Sequence, residues 1–570
     1  MEMRKGCAMS GMRVIHFVIF IGIWVSPGFS SVYKTSQNRV IETAFVSSIF
    51  YDAPFHAVEL DVEIEGDDGK KTLYPAYWAG GRVWRFRFSS AKAGTYSFTT
   101  RCSDASNAGL HNRSGTIVVQ PYTGQNPLYR HGPLTINREG KYIQHADGTP
   151  FFWLADSWWH GMTKRFRWPD DFRVLTRDRK EKGFSVIQFA AGFPCDIYEF
   201  DPRGANRAGF PMTQNYETIN PAYFDLVDLR VAYLAEQGLV PNILGTWGYY
   251  LPFMGVETMK AYWRYLIARY GAYPVTWTVA GETTLIWYLT EDGKRDERRQ
   301  LQREGWAEIA AFIKKTDPYD RLITAHPGPA SGSFEPITDM ALLDIVMVQP
   351  GHNGWRTIPS ALNHLGKAMA LYPDRPVMQG EVCFEGMHGG GSGPKVQRIL
   401  FWTNVLSGAA GHCYGVDGIW QFNTKKELFG KSPAGHIWGN APWEEAHRWK
   451  GSTYVGLGKQ ILERYSWWRF TVHPEWIEPA ADAGEPFKAY AAGIPGEMRV
   501  FYFPEGVLPW GQKYTVKHLN KGKTYAAIYI DPRTGDEYPI NEMIENAAEW
   551  VVPQAPILQD WVLVLKGKSS

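Results

Sequence analysis

This sequence has few of the residues that mark redox, metal-binding or nucleic-acid-binding proteins. Its 570 residues include 5 cysteines, with no CxxC pair and no Cys/His spacing typical of a metal site. Its 60 basic and 58 acidic side chains leave a net charge of +2, which gives no strong field for a nucleic acid. The sequence therefore predicts no cofactor, no bound metal and no nucleic-acid partner, and it leaves the oligomeric state open.

The cysteines also give little sign of a disulfide framework. Cys7 lies in an N-terminal segment considered below, which leaves Cys102, Cys195, Cys383 and Cys413. Cys383 and Cys413 fall on predicted neighbouring strands, but a chain of this length does not need a covalent staple. Buried free thiols are favoured, and a disulfide between Cys383 and Cys413 is the alternative.

Aromatic side chains, by contrast, are abundant. Hydrophobic residues make up 44% of the chain and aromatic residues 15%, including 24 Trp. This composition excludes a disordered chain and a coiled coil, and it supplies large cores. It also suits proteins that stack aromatic rings on sugars, although it suits a well-packed core equally well. A chain of this length is expected to form roughly two to four domains.

The N-terminus has the pattern of a secretory signal peptide. Arg4, Lys5 and Arg13 precede an apolar run over residues 14–25, and small residues follow. The run is shorter than the roughly 20 residues that span a bilayer, and no later segment of that length is free of charges. We expect residues 1–31 to be removed and the mature chain to be secreted or periplasmic, without a membrane span. An uncleaved N-terminal anchor is the alternative.

Three blocks of different periodicity follow this segment. Residues 36–121 contain short strand patterns separated by turns, which predicts an N-terminal β-sandwich. Residues 130–465 alternate apolar strand-like runs with amphipathic helices. Residues 470–568 return to short strand patterns, which predicts a C-terminal β-sandwich.

The middle block has the number of strand–helix units that a (β/α)8 barrel requires. Helical stripes such as Phe224, Val227, Val231 and Leu234 lie between the strands. A doubly wound open sheet is the rival fold, but its Gly-rich phosphate-binding turn is missing after the first strand. We therefore predict the α/β class, as a (β/α)8 TIM barrel flanked by two β-sandwich domains. The eight predicted strands are residues 151–155, 185–190, 240–244, 275–279, 322–326, 345–349, 376–379 and 411–414.

Polar side chains gather where these strands end, which is the active-site face of a barrel. Two acids stand out, since Glu282 and Glu381 each follow an apolar strand and a glycine. The difference between positions 381 and 282 is 99 residues, or three strand–helix units, which predicts that the acids follow the fourth and seventh strands.

Such a pair of acids suits the cleavage of a glycosidic bond. That reaction needs one protonated carboxyl to release the leaving oxygen and a second carboxylate to stabilise or capture the anomeric carbon. We therefore predict Glu282 and Glu381 as the catalytic residues. The alternative for either is a structural carboxylate that caps a helix or pairs with an arginine.

Further strand-end residues are candidates for substrate binding. A single aromatic ring packs in a core more often than it binds sugar, and an isolated histidine is as often structural. Glu385 suits substrate binding or the orientation of a neighbour, and Asp156 is equally suited to holding its own loop. The candidates are Asp156, Trp158, Trp159, His160, Gln188, Trp247, His326, Gln349, His352, Glu385, Tyr414 and Trp420.

Several stretches of the middle block resemble the apiosidase-like glycoside hydrolases. The resemblance covers most of that block, and its pieces occur in barrel order. The first block resembles the β-sandwich found before such barrels, and the last resembles a collagen-binding-type β-sandwich. The stretches are residues 152–159, 268–274 leading into 277–282, 349–352, and 376–381 followed by 382–385.

The resemblance implies a (β/α)8 barrel that attacks side chains of plant or algal polysaccharides, with Glu282 as acid/base and Glu381 as nucleophile. The chain departs from the family at residues 280–282, where Ala-Gly-Glu replaces the usual Gly-Gly-Asp. We expect a secreted, retaining glycoside hydrolase that acts on a polysaccharide or oligosaccharide. The alternatives are a non-catalytic carbohydrate-binding protein with a degenerate barrel and a polysaccharide lyase.

Overall fold

The structure is a computed structural model that describes residues 31–387, 391–482, 484–504 and 513–568. The predicted signal peptide lies outside these ranges, apart from its last residue, Ser31. Within the described ranges, no helix is long and apolar enough to cross a membrane.

The first described segment forms two sheets that share one hydrophobic core. The five-stranded sheet has the order β1-β8-β7-β3-β4 and the three-stranded sheet the order β2-β6-β5. Alternate residues of β3, namely Leu60, Val62 and Ile64, are buried in the core between the sheets. The elements are β1 (Ser31–Ser36), β2 (Ile41–Val46), α1 (Pro54–Ala57), β3 (Leu60–Glu65), β4 (Lys71–Pro75), β5 (Tyr77–Gly80), β6 (Val83–Phe88), β7 (Gly94–Cys102) and β8 (Ser114–Gln120).

A short helix and a hairpin connect these sheets to the central one. They are α2 (Pro127–Arg130), β9 (Leu134–Asn137) and β10 (Tyr142–His145). Leu134 and Ile143 of the hairpin belong to the same buried cluster as Trp153 and Val186, which lie at the starts of central strands. The hairpin therefore covers the amino-terminal end of the central sheet.

The central sheet contains nine strands and curls. Its order is β15-β14-β13-β12-β11-β19-β18-β17-β16, and every neighbouring pair is parallel except β16 with β17. The strands are β11 (Trp153–Ser157), β12 (Val186–Phe193), β13 (Val240–Thr246), β14 (Thr276–Thr278), β15 (Ile323–Thr324), β16 (Ser331–Gly332), β17 (Val346–Gln349), β18 (Val377–Gln379) and β19 (Gly411–Tyr414).

The two ends of the curl approach each other at β15 and β17. The backbone N–H of Asp344 donates to the carbonyl of Ile323 over 2.8 Å. Thr324 Oγ1 donates to the carbonyl of Ile345 over 2.9 Å. The eight parallel strands lie at the eight apolar runs predicted from the sequence, and the prediction of a mixed α/β fold with a parallel sheet is confirmed.

Amphipathic helices cover the outside of this sheet. The predicted stripe Phe224, Val227, Val231 and Leu234 is buried on α4, which ends at Glu236. The helices are α3 (Asp170–Glu181), α4 (Pro221–Glu236), α5 (Leu251–Met254), α6 (Val256–Tyr270), α7 (Arg295–Thr316), α8 (Thr357–Leu371), α9 (Pro394–Leu406), α10 (Trp443–Ala446) and α11 (Lys450–Glu463).

The inside of the central sheet carries a hydrogen-bonded polar layer. Thr276 and Thr278 donate through their hydroxyls to Asn242 Oδ1 over 3.1 and 3.0 Å, and Asn242 Nδ2 donates to Gln188 Oε1 over 3.4 Å. Gln188 Nε2 in turn donates to the carbonyl of Gly380 over 3.0 Å. Buried polar groups satisfied in this way hold the strands in fixed register, and the layer supports the residue that precedes Glu381.

The last segment again forms two sheets around one core. The six-stranded sheet has the order β20-β22-β23-β28-β25-β26, and β21, β24 and β27 form the smaller sheet. The strands are β20 (Thr471–Val472), β21 (Ile477–Glu478), β22 (Tyr490–Ile494), β23 (Met498–Phe503), β24 (Thr515–Val516), β25 (Thr524–Ile530), β26 (Glu537–Ile544), β27 (Trp550–Val551) and β28 (Trp561–Lys568).

Strand β23 of the six-stranded sheet is buried on both faces. On β23, Val500 and Tyr502 join the main core of the central segment, whereas Phe501 and Phe503 join the core between the two C-terminal sheets. This alternation follows from the two-residue period of a strand. Tyr502 stacks on Trp402 of α9, with ring centroids 5.8 Å apart.

The four cysteines within the described residues are free and buried. Cys413 lies on β19, and Cys383 follows β18. Cys7 lies outside the described residues.

Candidate active site

A cavity opens at the carboxyl ends of the central strands. Its volume is about 160 Å³. Both predicted catalytic acids line it, Glu282 after β14 and Glu381 after β18. The wall is largely aromatic, with the side chains of Trp159, Trp247, Tyr288, Phe384, Trp420 and Trp438.

Glu282 has an unusual backbone conformation. Its φ of 40° lies in the left-handed region, which residues other than glycine rarely occupy. The preceding Gly281 forms a β-bridge with Trp247, and a Cβ at position 281 would overlap the indole ring. This close approach places Trp247 Nε1 3.2 Å from Glu282 Oε2, to which it donates. The glycine is therefore needed to bring the carboxyl against the tryptophan.

Two histidines hold the carboxylate of Glu381. The backbone N–H of Phe384 donates to His352 Nδ1 over 3.1 Å, so the proton of a neutral His352 ring is on Nε2. His352 Nε2 donates to Glu381 Oε1 over 2.7 Å. The N–H of Glu282 donates in the same way to His326 Nδ1 over 3.4 Å, and His326 Nε2 lies 3.5 Å from Glu381 Oε2. His352 thus donates an N–H to the ionised form of Glu381, and the His326 ring lies beside the other oxygen of that carboxylate.

The side chain of Gln349 bridges the two acids. Its Nε2 donates to Glu282 Oε1 over 3.1 Å and to Glu381 Oε1 over 3.3 Å. The distances 3.1 Å and 3.3 Å sum to 6.4 Å, which is the largest separation that these two oxygens can have. A single side chain therefore fixes the spacing of the carboxyl groups.

The two acids have opposite pKa shifts. Burial, followed by the negative charge of Glu381, raises the pKa of Glu282 to about 7. Burial alone would also raise the pKa of Glu381, but the hydrogen bonds from His326 and His352 lower it to about 2. Near neutral pH, one acid can therefore carry a proton while its neighbour is ionised, which is the division of labour that general acid catalysis beside a carboxylate requires.

Six of the residues predicted for substrate binding lie at this site. Trp159, Trp247, His352 and Trp420 line the cavity itself. His326 and Gln349 are fully buried and contact the glutamates. Their geometry suits them to position the acids.

The other six lie outside the cavity lining. Asp156 is fully buried, and its carboxylate accepts from Arg179 Nε over 2.6 Å and from Trp158 Nε1 over 2.7 Å. The Trp158 ring packs edge-on against Phe166 and Phe172. The Asp156 side chain therefore holds its own loop in place, which is the alternative that the sequence left open. Gln188 belongs to the polar layer described above.

His160, Glu385 and Tyr414 likewise have protein partners. His160 Nε2 donates to the carbonyl of Cys195 over 2.9 Å. Tyr414 donates through its hydroxyl to Glu385 Oε2, whose other oxygen accepts from the N–H of Gly451. These three residues brace the loops around the cavity, and a direct role in binding substrate stays a prediction without a supporting contact.

One acidic residue of the cavity was not predicted from the sequence. Asp196 lines the wall with 7% of its surface exposed, and Tyr288 donates its hydroxyl to Asp196 Oδ1 over 2.8 Å. It lies outside the central strands, in the irregular segment between β12 and α4, where no periodicity identifies it. The only sign of Asp196 in the sequence is its position soon after the apolar run at residues 185–190, near the end of a predicted strand.

Within the part of the chain that the structure describes, no group of three or more His, Cys, Asp or Glu side chains is placed to hold a metal ion.

Comparison with known families adds an independent observation. The family model described as "Apiosidase-like, catalytic domain" matches residues 137–469. A domain of unknown function, DUF5060, matches residues 34–103. No curated protein matches the sequence.

Solved structures share the fold. One described as a glycoside hydrolase superposes with a TM-score of 0.64 at 22% identity, over 78% of this chain and 98% of that chain. A glycoside hydrolase family 5 protein from Bacteroides vulgatus ATCC 8482 has a TM-score of 0.63 at 20% identity, over 78% and 95% of the two chains. A second structure from that organism covers 94% of this chain and 100% of its own, with a TM-score of 0.66 at 16% identity.

Proposed function

Because the chain belongs to the apiosidase-like family of glycoside hydrolases, we propose that it cleaves glycosidic bonds by a retaining mechanism that uses Glu282 and Glu381. A carbohydrate substrate follows from the family. The proposed roles are acid/base for Glu282 and nucleophile for Glu381.

The observation that carries this proposal is the Gln349 bridge between two acids of opposite pKa shift. Carboxyl groups about 5–5.5 Å apart are typical of retaining enzymes, whereas inverting enzymes need roughly 6.5–9.5 Å to admit a water. The 6.4 Å limit set by the two bonds of 3.1 and 3.3 Å falls below the inverting range. The spacing therefore favours direct attack by Glu381 over attack by water in the first step.

In the first step, an oxygen of Glu381 attacks the anomeric carbon as the bond to the leaving oxygen breaks. Glu282 gives its proton to that oxygen, so the aglycone departs as a neutral alcohol. His326 and His352 keep the attacking carboxylate ionised, and Gln349 holds it beside the acid.

In the second step, Glu282 is ionised and takes a proton from water. The resulting oxygen nucleophile attacks the anomeric carbon, and the bond from that carbon to Glu381 breaks. Glu381 leaves as a carboxylate and Glu282 is protonated again, so both acids return to their initial states. Two displacements on the same carbon give net retention.

We also propose the wider setting expected from the sequence. The substrate is a plant or algal polysaccharide or oligosaccharide, and the protein is secreted or periplasmic. Its curled central sheet with the surrounding helices is proposed as a (β/α)8 barrel spanning residues 130–465, flanked by β-sandwiches over residues 36–121 and 470–568.

The reaction is tested on a panel of plant and algal polysaccharides. We expect release of a sugar whose first-formed anomer, followed by NMR in the first minutes, has the configuration of the bond cleaved. Initial release of the opposite anomer would contradict retention while leaving hydrolysis intact. Products that absorb in the ultraviolet and carry a double bond would indicate a lyase.

The pH dependence provides a second prediction. Since the pKa of Glu282 is about 7, its acid form is lost as the pH rises through that value, and kcat/KM is expected to fall up to tenfold per unit above about pH 7. Glu381, with a pKa of about 2, stays ionised throughout that range. The measurement is a pH profile of kcat/KM on the best glycan of the panel.

The matched variant for this profile is Glu282→Gln, assayed with an aryl glycoside of the released sugar whose leaving group needs no proton. It is expected to form the glycosyl-enzyme without an alkaline decline. Persistence of the same alkaline decline in the variant would assign the titration to another group.

A further inference from the structure

We propose that a second pocket, formed by α5, α7 and the loop after β14, binds a uronic acid residue of a polysaccharide. The pocket has a volume of about 200 Å³, and none of the described residues lines both it and the catalytic cavity. The inference therefore goes beyond the proposed function, since binding at this pocket does not require cleavage by Glu282 and Glu381.

One loop separates the two sites. In the segment that follows Glu282, Tyr288 lines the catalytic cavity, whereas the preceding Trp287 lines the second pocket. The buried ring of Tyr249 packs against both, with its centroid 5.0 Å from that of Trp287 and 5.8 Å from that of Tyr288. A sugar held in the second pocket therefore lies on the other side of the loop that begins at the catalytic acid.

Two aromatic rings form one wall of the pocket. Trp287 and Phe253 of α5 both line it, and both are half-buried. Their centroids are 5.6 Å apart at an interplanar angle of 79°, so the two rings meet edge to face and do not stack on one another. An aromatic ring offers a large flat apolar surface. The wall therefore suits a ligand with an apolar face, such as a sugar ring.

The pocket carries an unbalanced positive charge. Its charged lining residues are Glu291, Lys294 and Arg298, so one negative and two positive charges leave a net charge of +1. Lys294 Nζ pairs with Glu291 Oε2 over 3.2 Å. The half-buried side chain of Arg298 forms no salt bridge or hydrogen bond within the described part of the chain. A guanidinium matches the two oxygens of a carboxylate, so the pocket favours a ligand that carries one.

A polar group of the lining also lacks a partner. Gln302 lies four residues after Arg298 on α7, shares its face of the helix, and is fully buried. Its Nε2 donates to the carbonyls of Thr283 and Leu285 over 3.3 and 2.8 Å, which fixes the orientation of the amide. Its Oε1 has no hydrogen-bond partner among the described residues. Buried acceptors without a donor are uncommon, and a hydroxyl of a bound sugar would supply one.

These three features together fit an acidic sugar. A neutral sugar would leave the charge of Arg298 without a partner, and a small inorganic anion would make no use of the aromatic wall. A uronic acid presents an apolar ring face to Trp287, a carboxylate to Arg298 and a hydroxyl to Gln302. The geometry of the pocket therefore favours uronic acid residues over both.

The experiment is a calorimetric titration of the full chain carrying Glu381→Gln, which prevents consumption of the probe. The probes are oligosaccharides of galacturonic acid and of mannuronic acid, each compared with its methyl ester, which has the same sugar ring without the charge. We expect at least one acid form to bind about tenfold more tightly than its ester, because only the acid pairs with Arg298.

Two further variants divide the contributions of charge and ring. Arg298→Gln is expected to remove the preference for the acid, and the matched control is Arg299→Gln, which removes the same charge from the next residue of α7. Arg299 pairs with Asp296 over 2.6 Å and lies outside the pocket lining, so its variant should keep the preference. Trp287→Leu is expected to weaken acid and ester alike by about tenfold, since packing on the ring does not depend on charge.

The titration is read separately from the reaction. Equal affinity for acid and ester with both sugars, or an acid preference that survives in Arg298→Gln, would overturn the inference and leave the hydrolase intact. Conversely, if the polysaccharide panel shows no cleavage, the proposed function fails, whereas an acid preference that depends on Arg298 and not on Arg299 still supports the second site. Arg298→Gln deletes no hydrogen bond or salt bridge with the described residues, so it is expected to fold and to decide the question even if Trp287→Leu does not fold.

Discussion

Glu381→Gln is expected to lower kcat/KM by at least about 10⁴-fold, because it replaces the attacking carboxylate by an amide that cannot form a glycosyl ester. The amide has nearly the same volume, and its carbonyl can still accept from His352 Nε2. The fold should therefore persist, and the loss should appear in the chemical step. Steady-state kinetics on the best glycan of the panel, together with a thermal melt, separates these effects.

A covalent trap gives a sharper form of this experiment. A glycoside of the released sugar with fluorine at C2 and a good leaving group should label wild type once, and peptide mass spectrometry should locate the label on Glu381. The Glu282→Gln variant should also be labelled, since an activated leaving group needs no proton. Near-normal turnover by Glu381→Gln, or a label on another residue, would refute the nucleophile assignment.

The second large effect concerns the attachment of the N-terminal sheets. Arg87 of β6 and Arg269 of α6 both donate to the carboxylate of Asp228 on α4, with the Arg269 bonds at 2.8 Å. Both guanidinium groups are nearly inaccessible to solvent. Asp228→Asn would remove the buried carboxylate that the two guanidinium groups share and leave them only the more exposed Glu42 and Asp225, so a loss of about 3 kcal/mol in the free energy of unfolding is expected.

Urea unfolding followed by tryptophan fluorescence measures this loss. The control is Asp225→Asn, because Asp225 pairs with the same Arg269 but is about half exposed, and a cost of about 1 kcal/mol or less is expected. Equal losses in the two variants would show that burial of the cluster does not decide its contribution.

The same cluster has a pH signature. Burial opposes ionisation of Asp228, but the charges of Arg269 and Arg87 hold its pKa well below the ordinary value. Its contribution is therefore present above the unfolded pKa of about 4 and is lost as the pH falls below it. Wild type and Asp228→Asn should accordingly converge in stability toward acidic pH.

The strands of the central sheet could be predicted because they are buried on both faces. Parallel strands covered on both faces appear as continuous apolar runs, and the predicted run at residues 411–414 coincides with β19. The apolar pattern at residues 57–64 is typical of one continuous strand, but Ala57 ends the short helix α1 and β3 begins only at Leu60. The two-residue β16 has no periodicity to detect.

The site could be predicted only in part, because some of its contacts join residues that no local sequence pattern connects. The ends of the predicted strands can be counted along the sequence. Glu282 and Glu381 could therefore be assigned to the same end of the parallel strands before the structure placed them in one cavity. Whether Asp156 faces substrate or pairs with Arg179 depends on a contact across 23 positions that no local pattern encodes. Asp196 lies in an irregular loop, and its proximity to the glutamates arises only from the folded path of that loop.

The alternation on β23 limits how this protein can be divided. Val500 and Tyr502 pack into the main core, and Arg398 of α9 forms a bidentate ion pair with Asp560 beside the last strand. Removing the chain after α11 would expose the apolar side of α9 to solvent. It would also leave the guanidinium of Arg398 without its partner Asp560. The C-terminal sheets are therefore a permanent part of the enzyme body, unlike a tethered accessory module that evolution or an engineer could exchange freely.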